Sequence, residues 1–162
     1  MAIKFKPKYP HMGPKEAQIW DRFLATTNLK FIKIEYDVRV GPGNTPRYLI
    51  ERWRHEYELY KKGKISREEY QLTENIVKMA RQLTQLRIDA VGETENEIWI
   101  FEVKGRAGRS ALGQLLSYQY WYLRQFSPRK RVRLGIVCID FDRNLLPLFE
   151  MHNITIFKVG TY

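Results

Sequence analysis

The sequence is short of the features that would put a chain in a membrane or an oxidising compartment. It has one cysteine, Cys138, so no internal disulfide can staple it. No run approaches the roughly 18 apolar residues a membrane span needs. The opening MAIKFKPKYP interleaves lysines with apolar residues and has no apolar core of a secretory signal. A cytoplasmic, reduced protein without membrane association is expected, with Cys138 a buried, inert thiol in the apolar run from Leu134 to Ile139. His11, His55 and His152 are scattered without metal-ligand spacing, which argues against zinc chemistry. No Walker-type phosphate loop is present, so nucleotide hydrolysis is not expected. Acids are also in deficit, 18 against 28 Lys and Arg, for a net charge of +10. That bias attracts phosphate polymers and makes nucleic acid the expected partner, with a merely soluble basic protein as the competing reading.

What is present fits one globular unit. With 162 residues, 44% of them hydrophobic and 28% charged, the chain has the size and composition of a single domain, 1–162. Pro14 followed by KEAQIWDRFLA opens a helix that ends near Asn28, with Ala17, Trp20, Phe23 and Leu24 at helical spacing. From Phe31 to Val40 the period switches to two, a strand with one wet face, stopped by GPGN. Thr45 and Pro46 read as N-cap and first residue of a second helix carrying Leu49, Ile50, Trp53, Tyr57 and Tyr60. Ser66 with Glu69 is a capping-box pattern that opens a third. These two helices, an insertion at about 46–84, form a basic hairpin suited either to DNA contacts or to a solvated, salt-bridged surface. The lysines of the opening segment, Lys4, Lys6, Lys8 and Lys15, are likewise either a phosphate-touching arm or a solvated tail.

Leu86–Val91 and Ile98–Lys104 read as an antiparallel hairpin around the polar turn GETENE. A helix from Ser110 to about Phe126, a strand at Val132–Ile139, a short helix near Leu145–Glu150 and a strand at Ile154–Val159 complete the order. In IWIFEVK the side chains alternate, so Glu102 and Lys104 share one face while Trp99, Phe101 and Val103 take the other. A hairpin centred between Glu95 and Asn96 sets Asp89 directly beside Glu102. Two adjacent carboxylates repel unless a cation lies between them, and an all-oxygen set suits Mg²⁺ or Mn²⁺. With Lys104 nearby, such a set can bind a phosphate and activate a water for phosphodiester hydrolysis. An ordinary cross-strand ion cluster is the alternative. Beyond Lys104, the loop KGRAGRS offers Arg106 and Arg109 at a helix N-terminus, where phosphate contact is expected. RKRVR, residues 129–133, is either a further contact or a solvated loop. Asp140 and Asp142 read as a strand end and a helix start.

Asp89, Glu102-Val103-Lys104, and Gln114 with Tyr118 in QLLSY resemble the motifs of the PD-(D/E)xK nuclease superfamily, in particular its RecB-like QxxxY branch and Holliday-junction-resolvase-like cores. The resemblance covers most of the chain outside the insertion. Ile88 stands where the family's proline precedes the first acid, and the helical hairpin is an elaboration the motif does not explain. The resemblance implies an α/β fold with a restriction-endonuclease-like αβββαβ core, a mixed central sheet flanked by helices. It implies that Asp89 and Glu102 hold the metal with the Val103 carbonyl, that Lys104 positions or activates the attacking water, and that Gln114 and Tyr118 line the site. Glu16, in the first helix, is a further candidate metal ligand by the same resemblance, or simply a first-turn acid favoured by the helix dipole. Along the Ser110–Phe126 helix, Gln114, Tyr118, Trp121 and Gln125 are expected to face the site, with Leu112, Leu115, Leu116 and Leu123 opposite. The implied activity is a metal-dependent deoxyribonuclease acting on double-stranded or branched DNA, and nucleases of this architecture often pair as homodimers. The rivals are a catalytically silent nucleic-acid-binding module of the same fold and a non-enzymatic basic interaction protein.

Overall fold

Pro14, which needs no amide partner in a first turn, starts α1 (Pro14–Thr26) in the computed structural model, which describes residues 8–160. Lys4 and Lys6 of the expected arm lie outside the described residues, while Lys8 pairs with Asp21 at 2.7 Å. The elements that follow are β1 (Lys33–Val40), α2 (Arg47–Lys61), α3 (Arg67–Thr84), β2 (Leu86–Glu93), β3 (Glu97–Ala107) and α4 (Arg109–Phe126). The chain continues through β4 (Arg131–Phe141), a 3-10 turn at Arg143–Leu145, α5 (Leu146–Met151) and β5 (Ile154–Lys158). The strands form one mixed sheet in the order β1-β2-β3-β4-β5. β2 and β3 are antiparallel, and β3, β4 and β5 run parallel. Apart from α2 and α3, this is the expected αβββαβ order, extended by α5 and β5, in an α/β fold with a mixed five-stranded sheet.

The chain divides into two compact units, Met1–Val38 with Arg87–Tyr162, and Arg39–Leu86. In the first, alternation along β3 sends Trp99, Phe101 and Val103 into an aromatic core with Trp20 and Phe23 of α1. Phe101 lies 5.2 Å, centroid to centroid, from each of those two rings. Gly135 of β4 is required there, because a Cβ would fall 2.9 Å from both Phe101 and Phe157. On the other face of the sheet, Ile100, Leu134, Ile136 and Cys138 are buried, as are Ala111, Leu115, Tyr118 and Tyr122 of α4. Burial pushes the Cys138 thiol up to about 11, the inert state expected of it.

Several boundaries differ from expectation. Ile32 falls before β1 and is exposed, and Asp37 takes a positive φ of 54°, which breaks the simple alternation of that strand. Asp37 is held there by Arg87, at 2.6 and 2.9 Å. α4 buries Ala111, Leu115, Tyr118 and Tyr122, while Leu123 points outward, so the expected leucine stripe is fully buried at Leu115 alone. Aromatic rings fill the space over the sheet more completely than a leucine stripe rotated away from it.

In the second unit, Ser66 and Glu69 form the expected capping box at the start of α3. Tyr60 stacks on Tyr70 at 5.1 Å between the two helices. α2 begins one residue later than expected: Pro46, extended at ψ 137°, is the N-cap and Thr45 makes no cap.

Candidate active site

The β2–β3 register pairs Ala90 with Phe101, Val91 with Ile100 and Gly92 with Trp99, and one further step brings Asp89 beside Glu102, as expected. There the side chain takes over from the backbone ladder: the Val103 amide donates to Asp89 Oδ2 at 2.8 Å. Both acids are buried, Asp89 to 6% and Glu102 to 3% exposure. Two places along β3 and on the same face, Lys104 brings Nζ to 3.4 Å from Glu102 Oε1. Among the described residues, Glu102 Oε2 is buried without a well-formed hydrogen bond, with the Tyr118 hydroxyl and the Asp89 carboxyl as its near neighbours.

Burial disfavours charge on both acids. Desolvation raises the Asp89 carboxyl, opposed by the Val103 amide and by the charges of His11 and Lys104. Glu102 is pushed up to about 8, by burial first and by the Asp89 charge second, with Lys104 opposing both. A hard cation between the carboxylates would neutralise that repulsion and give Oε2 a partner, so the residues fit a divalent oxygen-loving ion. Among the described residues no third His, Cys, Asp or Glu completes a metal-holding group with the pair. A set of two carboxylates with a backbone carbonyl such as that of Val103, the rest being water, matches the habit of Mg²⁺.

From α4, the Tyr118 hydroxyl approaches Glu102, and Gln114 approaches the Tyr118 hydroxyl. Tyr118 is buried, and burial followed by the charges of Glu102 and Asp89 raises its hydroxyl pKa, so the phenol keeps its proton and remains a donor. On the preceding turn of the same flank, Gln114 presents a buried Oε1 that has no partner among the described residues. The i, i+4 spacing of QLLSY therefore carries both polar groups to the site, Tyr118 by way of a ring packed with the buried stripe.

Of the other expected residues, Glu16 and Arg106 are placed differently, while Arg109 and Asp142 lie where expected. Glu16 curls back on its own helix start, with Oε2 only 2.7 Å from where a Cβ of Gly13 would stand, and it is not grouped with Asp89 and Glu102. The positive end of the α1 dipole suffices to hold it there. Arg106 is not in a loop, because β3 runs on to Ala107. It lies on the Glu102 and Lys104 face and pairs with Asp140, its register partner on β4, at 2.8 Å. Arg109 is the exposed first residue of α4, next to the N-cap Gly108, which has no side-chain cap. Within 129–133, Lys130 binds Glu93 at 2.7 Å and Arg133 binds Glu97 at 3.0 Å and covers Trp99, so these two cations staple the β2–β3 hairpin to β4. Asp142 caps the 3-10 turn through the Asn144 amide, the helix-start role expected of it.

His11 is the residue that sequence patterning missed. A tight turn, with the Met12 amide donating to the Tyr9 carbonyl, holds it at φ 64° and brings Nε2 to 4.0 Å from Asp89 Oδ1. Buried Met12 and the bond from Tyr9 to Asp21 anchor that turn. Nothing periodic marks a histidine on such a turn, so only the fold reveals its neighbour.

No family model matches the chain, and no curated protein matches it. Among solved structures, the crystal structure of a repair endonuclease from Pyrococcus abyssi is similar over 47% of this chain at 22% identity, with a TM-score of 0.41. The matched part is 34% of that structure's chain. Among the described residues, no helix is long and apolar enough to cross a membrane.

Proposed function

We propose that this chain is a metal-dependent nuclease that hydrolyses phosphodiester bonds in DNA, double-stranded or branched, with Mg²⁺ or Mn²⁺ held by Asp89, Glu102 and the Val103 carbonyl. The observation that carries the reading is Glu102, a buried carboxylate with Lys104 3.4 Å from one oxygen and, among the described residues, no well-formed hydrogen bond to the other, beside a second buried acid. A purely structural ion cluster satisfies its oxygens, since an unpaired buried one costs on the order of 1–3 kcal/mol. The match of Asp89, Glu102-Val103-Lys104, Gln114 and Tyr118 to the PD-(D/E)xK pattern supports the same reading.

In this hydrolysis a water oxygen bonds to phosphorus as an ester P–O bond breaks, and negative charge grows on the phosphoryl and leaving oxygens. When bound, the ion supplies Lewis-acid charge and a more acidic water. The protein does the rest. The Val103 amide fixes the Asp89 carboxylate in one orientation. Lys104 sets a positive charge beside Glu102, where it offsets charge on a reacting phosphate and orients water. Tyr118, protonated, donates a hydrogen bond into the same space, and Arg109 at the α4 N-terminus offers an adjacent phosphate a cation.

The test is incubation of the pure chain with supercoiled, linear, single-stranded and branched DNA, with Mn²⁺, with Mg²⁺ and with chelator. Cleavage confined to the metal-containing arms is expected. Equal cleavage in chelator, or none in any arm, contradicts the reading.

A further inference from the structure

The second compact unit carries cations and rings that phosphodiester hydrolysis does not use. Along α2 and α3 several charges are paired within their own helix, Arg47 with Glu51 at 2.7 Å, Arg52 with Glu56 at 2.8 Å and Lys78 with Glu74 at 3.6 Å. The corner between the helices is different. Lys61, Lys62, Lys64 and Arg67 are exposed there, no acid stands between Glu58 and Glu68, and among the described residues none of the four has an ion pair. The backbone of the corner is closely bonded: the Gly63 and Lys64 amides donate to the Tyr60 and Leu59 carbonyls, with Gly63 at the positive φ of 69° that such a helix end requires. The capping box of Ser66 and Glu69 follows at once, so four like charges are held near one another. Beside them α2 presents aromatic rings. No residue of α2 is fully buried, and Tyr57 and Tyr60 are 43 and 38% exposed. Both rings lean on Tyr70 of α3, with centroids at 5.8 and 5.1 Å, and Lys61 Nζ lies 5.2 Å from the Tyr57 centroid. Tyr57 also lines an open groove with Trp53, Arg54 and Glu58.

We propose that this corner binds single-stranded DNA, with an unpaired base stacked on Tyr57 and the flanking phosphates against Lys61, Lys62, Lys64 and Arg67. Single-strand recognition needs two parts, a π-face that takes any base and positive charge that follows the backbone, and both stand together here. A duplex meets only the cations, because its bases are already stacked on one another. An acidic protein likewise answers the charge and leaves the exposed rings unused. Lys61 serves both states of the site: its ammonium covers the Tyr57 ring in the free chain, and it moves to a phosphate as a base takes its place. The groove beyond Tyr57 offers the next nucleotide Trp53 and Arg54, with Glu58 as the opposing charge. The Tyr70 contacts and the bonded corner hold the rings and the backbone before the strand arrives, so little ordering opposes binding. The stacking site lies within Arg39–Leu86 and is independent of the metal site, whereas the strand's being DNA rests on the nuclease reading.

The experiment is fluorescence-anisotropy titration of the full chain in chelator, so that nothing is cut, at several salt concentrations. The labelled probes are an oligothymidylate, and an oligouridylate, a blunt duplex and a polyglutamate peptide of the same length. Tyr57→Ala should weaken oligothymidylate binding about ten-fold, as loss of one stacked base does, and leave the duplex within about two-fold. Tyr57→Phe, which keeps the ring, should bind like the parent. Lys62→Ala with Lys64→Ala should lower the single-strand salt dependence by about 1.4 on the log–log scale. Circular dichroism and thermal melting control for folding, and the lysine variant, on exposed side chains, tests the corner even where loss of the Tyr57 ring loosens the hairpin. Parent-like oligothymidylate binding by Tyr57→Ala, equal loss on strand and duplex, or an unchanged salt slope in the lysine variant overturns the proposal. Polyglutamate held as tightly as oligothymidylate overturns it in favour of plain charge attraction, and an oligouridylate held much more tightly overturns the assignment to DNA. These arms read binding without metal, so cleavage or its absence in the metal-containing arms above bears on the nuclease reading alone.

Discussion

The Val103 amide donates to Asp89 Oδ2 at 2.8 Å, so the first acid of the site is also a strand-pairing group. Asp89 and Glu102 are therefore not equivalent. Asp89→Ala orphans a buried amide and should destabilise the metal-free chain by about 1–3 kcal/mol. Glu102→Gln removes a carboxyl that burial and Asp89 disfavour, and should leave the metal-free chain as stable as the parent or more so. Chemical denaturation of the two variants in chelator checks the order, and greater loss in Glu102→Gln would contradict it.

Stability should depend on pH through Glu102. Its carboxyl titrates near 4.5 when unperturbed and is pushed up to about 8 in the fold. Between those values the folded state binds the proton more tightly, so stability is fullest at the acid end and falls as pH rises toward about 8, by an amount on the order of a few kcal/mol. The raised Asp89 carboxyl adds to the same slope. Melting temperatures from pH 5 to 8 without divalent ions should fall for the parent and be flatter for Glu102→Gln. Parallel curves would show that Glu102 does not titrate in this window.

Metal should act in the opposite direction. Because the ion competes with protons for both carboxyls, the rise in melting temperature on adding Mn²⁺ should be larger at pH 8 than at pH 5.5, and absent in the Asp89→Ala, Glu102→Gln double variant. Equal shifts at both pH values would place the ion elsewhere.

Much of this site was legible in the chain because β-structure has a simple period. Alternation along IWIFEVK put Glu102 and Lys104 on one face, and a symmetric turn put Asp89 opposite Glu102. Both depend only on local geometry. The buried face of α4 was less legible: Leu112, Leu116 and Leu123 compete with Tyr118 and Tyr122 on hydropathy alone, and the space above the sheet decides between them. The reach of β3 to Ala107 was hidden because Gly105 and Arg106 look like loop, whereas pairing with Asp140 on β4 keeps them in the strand. His11 was illegible, since its approach to Asp89 depends on how the turn before α1 meets the sheet.

The Arg106–Asp140 pair sets a prediction for DNA binding. Arg106 must give up Asp140 to take a phosphate, whereas no acid pairs with Arg109 among the described residues. Arg109→Ala should weaken DNA binding more than Arg106→Ala does. Asp140→Asn should tighten it and steepen the dependence on salt by about one unit of the log–log slope. Titrations at several salt concentrations measure both, and the reverse order for the two arginines would count against a phosphate contact at the α4 N-terminus.

The most direct test of the central claim is single-turnover cleavage of DNA in Mn²⁺, alongside equilibrium DNA binding, for the parent, Glu102→Gln, Lys104→Ala and Lys104→Arg. If Glu102 holds the ion and Lys104 acts on the reacting phosphate, all three variants bind DNA within a few-fold of the parent and lose cleavage by orders of magnitude. Arginine does not rescue Lys104, because its planar fork does not take the compact ammonium's place beside Glu102. Parent-like cleavage by Glu102→Gln, or loss of binding and cleavage in equal proportion in the Lys104 variants, would contradict it.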